Sequence, residues 1–224
     1  MADIRHIEIR YFMKRLIIVG AGGFGREILS WALDCEALQH EWRVSGFLDE
    51  KPLALEAFDC AYPIVGSPSN YLPAEDDVFV CAIGDPRIKL RVCAELLARG
   101  ARFITLIHPS AIIGRNNKIG QGCVFCPRSC ITTNVTLGNF VTLNASSGIG
   151  HDALIGDGVT LSAYCDVTGN TVLGEGVFLG SHAVILPSAK VGDYAIVGAG
   201  SVVLKKVKPG ATVMGVPAKQ VAGF

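Results

Sequence analysis

Large apolar residues occupy every sixth position of the chain from residue 113 to residue 203. The series has sixteen members and no break in register: Ile113, Ile119, Phe125, Ile131, Leu137, Leu143, Ile149, Ile155, Leu161, Val167, Leu173, Leu179, Ile185, Val191, Val197 and Val203. A helix repeats its buried face every 3.6 residues and a half-buried strand every two, so neither produces a period of six. Hexapeptide periods are typical of β-solenoids, in which each repeat supplies a short strand, a turn and an inward side chain. Three repeats make one triangular coil, and the pattern predicts five coils over 113–202.

Short apolar runs alternate with helix and turn signals before the solenoid and predict an α/β domain. Strands are expected at 14–19, 43–48, 78–83 and 102–105, and helices over 26–33 and from 86 to about 99. With about 90 residues, this domain is roughly half of a full dinucleotide-binding fold. We therefore expect it to hold one mononucleotide rather than NAD, which argues against a dehydrogenase.

A glycine-rich turn follows the first predicted strand. Gly20, Gly22 and Gly25 have the spacing of the dinucleotide-binding fingerprint, which also fits a turn that only packs a helix on a strand. Glycines in this arrangement let backbone N–H groups approach a phosphate at the start of a helix. The second strand ends at Asp49 and Glu50, where an acid can accept a hydrogen bond from a ribose hydroxyl. This context favours nucleotide binding.

The composition argues against several classes of protein. The chain has 224 residues, a hydrophobic fraction of 50% and a formal net charge of zero, which argues against nucleic acid as a partner. No apolar run reaches the length of a membrane span, and residues 1–13 are too charged for a signal peptide, so we expect a leader there. The predicted domains are therefore 14–105 and 106–224. Eight cysteines without a secretion signal indicate reduced thiols in the cytoplasm.

The solenoid contains two histidines, His151 and His182, at different phases of the repeat. Asp152 follows His151, and a neighbouring carboxylate raises the basicity of an imidazole and fixes its tautomer. Residues eighteen apart are vertical neighbours on adjacent coils, which places Gly169 beside His151. An unblocked glycine N–H at this place can receive a developing oxyanion. We therefore predict His151 as general base, Asp152 as its orienting partner and Gly169 as the oxyanion donor.

No metal site is expected. Cys123, Cys126 and Cys130 have spacings that occur in zinc sites, but the six-residue frame points them in different directions. A zinc hydratase on a solenoid, such as a gamma-type carbonic anhydrase, uses three histidines as ligands, and this solenoid offers two in unrelated phases.

The order of parts resembles the nucleotide-sugar acetyltransferases of the sialic-acid O-acetyltransferase type, which include UDP-4-amino-sugar and GDP-perosamine N-acetyltransferases. The resemblance covers residues 14–219. Its most specific marks are Gly20 to Gly25, Phe47 to Glu50, Ala82 to Gly84, Leu106 to His108, Asn144 to Ser147, and His151 with Asp152. It implies a left-handed parallel β-helix, acetyl-CoA as co-substrate, and a homotrimer whose sites lie between subunits.

The resemblance also implies which residues hold the two substrates. For the nucleotide sugar they are Gly22, Gly23, Phe24, Asp49, Glu50, Gly84 and Asn144. For acetyl-CoA they are Thr160, Gly180, Ser181, Ala199, Lys205 and Lys206. Phe24 and Thr160 stand where relatives often carry histidine. The lysines near the solenoid's end also form a basic cluster suited to the phosphates of CoA, although a solvated cap has the same composition.

The sequence thus predicts an acetyl-CoA-dependent N-acetyltransferase that acts on a nucleotide-linked amino sugar. Two alternatives remain open. One is O-acetylation of a sugar such as a sialic acid with the same base, and the other is a β-solenoid scaffold that senses a nucleotide sugar without turnover.

Overall fold

The computed structural model describes residues 13–221, so the predicted leader over 1–13 lies almost entirely outside the described residues. An α/β unit comes first. It contains β1 (Lys14–Val19), α1 (Gly23–Glu36), β2 (Trp42–Leu48), β3 (Ile64–Gly66), β4 (Asp77–Cys81) and α2 (Pro86–Ala98). The four strands form one parallel sheet in the order β3-β2-β1-β4.

The central strands of this sheet are buried on both faces, as a parallel sheet with a helix on each side requires. Leu16 and Ile18 pack with α1 in one core cluster, whereas Ile17 and Val19 pack with α2 in the other. Because successive side chains of β1 point to opposite faces of the sheet, this one strand contributes to both core clusters. Helix α2 begins with a proline in its first turn, and the side chain of Asp85 caps it by accepting from Ile88 N at 2.9 Å.

The second unit is a parallel β-solenoid of two-residue strands. These are β5 (Leu106–Ile107), β6 (Ile112–Ile113), β7 (Lys118–Ile119), β8 (Val124–Phe125), β9 (Cys130–Ile131), β10 (Thr136–Leu137), β11 (Thr142–Leu143), β12 (Gly148–Ile149), β13 (Leu154–Ile155), β14 (Thr160–Leu161), β15 (Asp166–Val167), β16 (Val172–Leu173), β17 (Phe178–Leu179), β18 (Val184–Ile185), β19 (Lys190–Val191), β20 (Ile196–Val197), β21 (Val202–Val203) and β22 (Lys206–Val207). A three-residue strand β23 (Thr212–Met214) and an antiparallel β24 (Lys219–Gln220) follow. The predicted fold class, an α/β half domain followed by a hexapeptide-repeat β-helix, is confirmed.

Every third strand stacks on its predecessor, which gives the solenoid three flat faces. Face 1 carries β5, β8, β11, β14, β17, β20 and β23; face 2 carries β6, β9, β12, β15, β18 and β21; face 3 carries β7, β10, β13, β16, β19 and β22. We call the turns between faces 1 and 2 the first edge and the turns between faces 2 and 3 the second edge. The second residue of nearly every strand points inward and fills one continuous core.

One turn position in each repeat adopts a left-handed backbone. Eleven non-glycine residues there have φ between 55° and 64°: Asn116, Arg128, Asn134, Phe140, Ser146, Asp152, Tyr164, Asn170, His182, Ser188 and Tyr194. Such a conformation is uncommon outside glycine, asparagine and aspartate. Its recurrence at multiples of six residues shows that the solenoid geometry, rather than local preference, sets the backbone of these turns.

Four features differ from the sequence prediction. Strand β3 is absent from the predicted elements, and the strand predicted at 102–105 is reduced to a single bridge between Phe79 and Phe103. The solenoid begins one repeat early, because Leu106–Ile107 pairs with β8. At the other end, Val191 pairs with Val207, so the last coil contains two residues fewer than the others.

The α/β unit rests on face 1. Val124 and Cys126 of the solenoid belong to the same core cluster as helix α1, and Phe140 packs edge-on against Phe103 at 5.1 Å between ring centroids. The thiol of Cys35 donates to the carbonyl of Ile107 at 3.4 Å. The two units therefore share buried surface over the first coils of the solenoid.

Candidate functional site

The glycine loop lies between β1 and α1 and is shaped by close backbone approach. Gly20 has φ of +103°, and a side chain at Gly25 would overlap the carbonyl oxygen of Gly20. Both positions therefore require glycine. The carboxylate of Asp49, at the end of β2, closes the loop by accepting from Ala21 N at 2.8 Å and from Lys51 N at 2.9 Å.

The start of α1 is open. Gly22 is its N-cap and makes no side-chain cap, and a side chain at Gly22 or Gly23 would meet nothing within 4 Å. The first N–H groups of a helix have no partner within the helix and attract anions. Beside the loop, a cavity of about 410 Å³ is lined by Gly20, Asp49, Glu50, Ser69, Ile83 and Arg91, among others. The cavity and the open helix start fit one phosphate-bearing ligand.

The other predicted nucleotide-sugar residues of this domain separate into different surroundings. The Glu50 carboxylate accepts from Ser67 Oγ, and from Ser69 N at 3.1 Å. Phe24 packs edge-on against Trp31, at 6.2 Å between ring centroids, within the apolar side of α1. Gly84 lines a second cavity of about 480 Å³, which lies between the start of α2 and face 1.

His151 and Asp152 lie on the second edge of the solenoid, directly after β12. The imidazole Nδ1 is 2.7 Å from Asp152 Oδ2, and the two side chains are 58% and 47% exposed. The ring lies over Gly169 on the next coil, so closely that a Cβ there would stand 2.6 Å from His151 Cε1 and Nε2. The structure thus brings together the three residues predicted for catalysis.

The geometry of this group leaves two functional atoms available. With Nδ1 engaged by the carboxylate, Nε2 is the nitrogen that is free to take a proton. Gly169 N donates no hydrogen bond among the described residues, whereas the following Asn170 N donates to His151 O at 2.8 Å. A proton acceptor and a free N–H therefore lie side by side on the solenoid surface.

Three of the six predicted acetyl-CoA residues lie on the first edge, away from His151. Gly180 and Ser181 follow β17, and Ala199 follows β20 one coil further on. A side chain at Gly180 would come within 2.6 Å of Ala199 N, so the two coils are in close contact there. Asn144 shares this edge, and its side-chain oxygen accepts from Ala145 N at 2.6 Å. Within one chain, these four residues do not meet the His151 group.

Lys205 and Lys206 line a cavity of about 470 Å³ at the end of the solenoid, together with Lys208 and Lys219. Strand pairing also places Lys206 beside Lys190. Four lysines at one cavity give an electropositive site, which fits phosphate groups.

Thr160 is buried under helix α2 rather than exposed on an edge. Its hydroxyl accepts a hydrogen bond from Lys89 Nζ at 2.8 Å. Lys89 is not among the residues predicted from the sequence, because a lysine in an amphipathic helix carries no signal of burial. Its partners are 53 and 71 residues away along the chain, so only the fold reveals them.

The eight cysteines are free thiols, and Cys60 and Cys130 are the two that are not buried. Burial raises the pKa of Cys123 and of Cys165 to about 11, and that of Cys126 further still. Because the thiolate is the nucleophilic form, these buried thiols are poor nucleophiles near neutral pH.

None of the helices between residues 13 and 221 is long and apolar enough to cross a membrane. The same range holds no group of three or more histidine, cysteine, aspartate or glutamate side chains placed to bind a metal ion.

Comparison with known proteins agrees with this architecture. Residues 15–96 match the PglD N-terminal domain, and residues 170–205 match the bacterial transferase hexapeptide (six repeats). GDP-perosamine N-acetyltransferase of Escherichia coli O157:H7 is 36% identical over 74 residues, which cover 33% of this chain and 34% of the relative. UDP-N-acetylbacillosamine N-acetyltransferase of Bacillus subtilis (strain 168) is 32% identical over 119 residues, covering 50% and 51%. The matches therefore span a third to a half of these curated relatives.

Solved structures match over nearly the whole chain. The acetyltransferase domain of PglB from Neisseria gonorrhoeae FA1090, in complex with acetyl coenzyme A, aligns with a TM-score of 0.84 and 28% identity over 93% of this chain and 100% of that one. PerB from Caulobacter crescentus, in complex with CoA and GDP-perosamine, aligns with a TM-score of 0.83 and 26% identity over 92% and 97%.

Residues 15–96 are thus similar to the PglD N-terminal domain, and residues 170–205 to the bacterial transferase hexapeptide (six repeats). The predicted resemblance to the nucleotide-sugar acetyltransferases is confirmed, and the named relatives are acyltransferases, as the sequence predicted.

Proposed function

We propose that this chain is an acetyl-CoA-dependent N-acetyltransferase that acts on a nucleotide-linked amino sugar. The observation that carries the proposal is the exposed His151 ring, held by Asp152 and seated on Gly169, in a solenoid that aligns with an enzyme bound to CoA and GDP-perosamine. The open glycine loop supplies the second requirement, a place for the nucleotide. The free cysteines suit a reducing compartment, and we place the protein in the cytoplasm.

The proposed reaction is a direct transfer. The neutral amine of the acceptor sugar adds to the thioester carbonyl carbon, and Nε2 of His151 takes the proton that the amine loses. The carbonyl oxygen becomes an oxyanion, which the N–H of Gly169 receives. When the carbon–sulfur bond breaks, the CoA thiolate takes the proton from the imidazolium, which regenerates the base. Asp152 stabilises the imidazolium through Nδ1 at 2.7 Å.

The glycine loop is proposed to hold the nucleotide, with its diphosphate at the start of α1. Gly22 and Gly23 leave the helix N–H groups open to the ligand. Asp49 already accepts two backbone N–H groups, so its contribution is to fix the loop as well as to accept from a ribose hydroxyl. Glu50 and Gly84 border the two adjoining cavities.

We further propose that the active site forms between chains of a homotrimer. Gly180, Ser181 and Ala199, which are assigned to acetyl-CoA, lie on the first edge and His151 lies on the second, so one chain alone does not unite them. Face 2 separates these edges and exposes Ile112, while Val184 and Val202 on it are half-buried. Packing face 2 around a threefold axis would bring the first edge of one chain to the second edge of its neighbour.

Mixed assemblies test the shared site. Chains with His151→Ala are co-expressed with chains with Ala199→Trp, which is designed to block the acetyl-CoA side. If each site takes one edge from each of two chains, one site in three of every mixed trimer is intact, which is about one quarter of all sites at equal expression, and turnover reappears. Two inactive variants that stay inactive together, or a fully active monomer in light scattering, would contradict the proposal.

The reaction itself is tested by measuring CoA release with acetyl-CoA and a panel of UDP-, dTDP-, GDP- and CMP-linked amino sugars. The proposal predicts turnover with at least one of them and a product that resists hydroxylamine, because amides resist it and esters do not. A hydroxylamine-sensitive product would show O-acetylation instead. Thermal stabilisation by a nucleotide sugar without CoA release from any acceptor would favour the scaffold.

A further inference from the structure

Lys89 is a buried cation at the contact between helix α2 and face 1. Its side chain is 1% exposed. Its Nζ donates to Thr142 Oγ1 at 3.1 Å, to Thr160 Oγ1 at 2.8 Å and to Val159 O at 3.5 Å. Each of the three ammonium hydrogens thus has an acceptor, and all three acceptors are neutral groups of the solenoid.

This arrangement is a poor source of stability. Removing an ammonium from water is costly, and apolar residues of similar volume often serve as well or better in such a place. Burial lowers the pKa of Lys89 to about 8, which reflects that cost. The surrounding cluster is apolar, with Leu90, Phe103 and Phe140 nearby in the same contact region. The advantage of the lysine must therefore lie in its directional hydrogen bonds, which define one position of helix α2 along the solenoid.

A solenoid presents almost the same surface at each coil, about 4.8 Å apart. The outward residues along face 1 are Leu106, Val124, Thr142, Thr160, Phe178, Ile196 and Thr212. Threonines occupy two neighbouring coils in this column once, and Lys89 joins these two. A helix that rested on this face through apolar contacts alone would meet similar surfaces one coil higher or lower.

A second contact on α2 agrees with one fixed register. Leu90 packs onto Gly158, where a side chain would come within 2.6 Å of Leu90 Cγ. Gly158 is thus a recess in the solenoid surface at the coil that also carries Thr160. Lys89 and Leu90, adjacent in sequence, thus contact Thr160 and the recess at Gly158 on the same coil, and Lys89 also reaches Thr142 on the coil before it.

We propose that Lys89 is a positioning residue that fixes the register of the α/β unit on the solenoid. Helix α2 begins two residues after Gly84, so its register sets the height of both nucleotide-side cavities. Lys89 donates to Thr160, which lies on the coil that begins at β12. The same coil carries His151. The inference rests on the proposed function: Lys89 holds the nucleotide domain at the height from which the acceptor amine reaches the base.

Kinetics with matched variants test the role in catalysis. Lys89→Met keeps the length and burial but removes the hydrogen bonds, and we expect at least a tenfold loss of kcat with the nucleotide-linked acceptor and no loss of thermal stability. Thr142→Ser keeps the hydroxyl that accepts from Lys89 and is expected to retain kcat within about twofold. Ala98→Ser, an exposed change in the same helix, is the control. Unchanged kcat in Lys89→Met would overturn the proposal.

A distance measurement tests the register without relying on any activity. Paired spin labels are placed at Ala94 on α2 and at Lys208 near the solenoid's end, both exposed, in a Cys60→Ser and Cys130→Ser background and diluted with unlabelled chains. The wild type should give one narrow distance. Lys89→Met should broaden or shift it by about one coil, ~4.8 Å. A narrow, unshifted distance in Lys89→Met overturns the proposal. A shifted distance in a protein without acetyl transfer would refute the proposed function and leave the register role intact.

Discussion

The glycine-loop region and the His151 edge use their polar groups in opposite ways. In the loop, the carboxylates of Asp49 and Glu50 are engaged by groups of the chain itself, and the atoms left for a ligand are backbone N–H groups. On the edge, the His151 and Asp152 side chains are about half exposed and contact each other. The first region is therefore suited to holding a ligand and the second to presenting a base.

The difference follows from the two scaffolds. Irregular turns of an α/β domain can fold back on themselves, so side chains there satisfy neighbouring backbone groups. The solenoid repeats one turn geometry, and Asp152 occupies its left-handed position as ten other non-glycine residues do. A functional group on such an edge needs only the correct side chains at adjacent positions of a framework that is already fixed.

The largest effect is expected on the edge. His151→Ala should lower kcat by roughly 10²- to 10⁴-fold, because a positioned general base contributes about that much. Steady-state turnover with saturating acetyl-CoA and acceptor measures it. Asp152→Asn should cost less and shift the pH profile of kcat, since the imidazole remains. Near-normal turnover in His151→Ala, or an acetylated cysteine trapped by mass spectrometry, would refute the assignment.

Gly169→Ala should displace the base without removing it. A Cβ at this position stands 2.6 Å from the ring, so the imidazole must move. Misplacement by about 1 Å can cost on the order of 10²-fold in rate. The matched control is Gly148→Ala in β12, the strand that precedes His151, where a side chain meets nothing within 4 Å in the same chain. After light scattering shows an unchanged assembly, equal kcat for the two variants would contradict the seating of His151 on Gly169.

A substitution in the glycine-loop region should weaken binding of the nucleotide sugar and leave kcat nearly unchanged. Asp49→Ala removes the acceptor for Ala21 N and Lys51 N. We expect it to weaken binding of the nucleotide sugar by on the order of 1 to 3 kcal/mol. The KM for the nucleotide sugar should rise about tenfold to hundredfold, with that for acetyl-CoA nearly unchanged. Equal weakening of both substrates would show that Asp49 only supports folding.

The Lys89 contact between helix α2 and face 1 should make the free energy of unfolding depend on pH. The pKa of Lys89 is lowered to about 8, from an ordinary value of 10.5, by burial first of all; Cys81, Cys93, Cys123 and Asp85 are the titratable groups around it. Between these values the unfolded chain binds more protons, so the wild type gains stability as pH rises from about 8 towards 10.5.

Lys89→Met lacks this titration. Its free energy of unfolding should exceed that of the wild type by on the order of 2 kcal/mol at pH 7, and the gap should narrow by pH 10. Urea unfolding of both proteins at the two pH values measures this gap. A gap that widens with pH would contradict the burial of a charged Lys89.

Much of the solenoid was predictable because its signal is periodic and local. The six-residue series located nearly every strand, and adding eighteen to 151 identified Gly169 as the neighbour of His151. The shortened last coil was not predictable, since Pro209 ends the apolar series without indicating that Val207 takes the inward position. Strand β3 is only three residues long and its burial depends on β2. Lys89 depends on contacts between units, which no local pattern encodes.

Ligand binding to the His151→Ala variant tests most directly whether His151 takes part in proton transfer and not in substrate binding. Calorimetric titration with CoA and, separately, with the nucleotide sugar that supports turnover compares this variant with the wild type. The account predicts dissociation constants within about threefold of the wild type for both ligands, in a protein whose kcat has fallen by at least 10². Loss of binding of either ligand in parallel with turnover would show that His151 holds substrate, which contradicts the separation of the two regions.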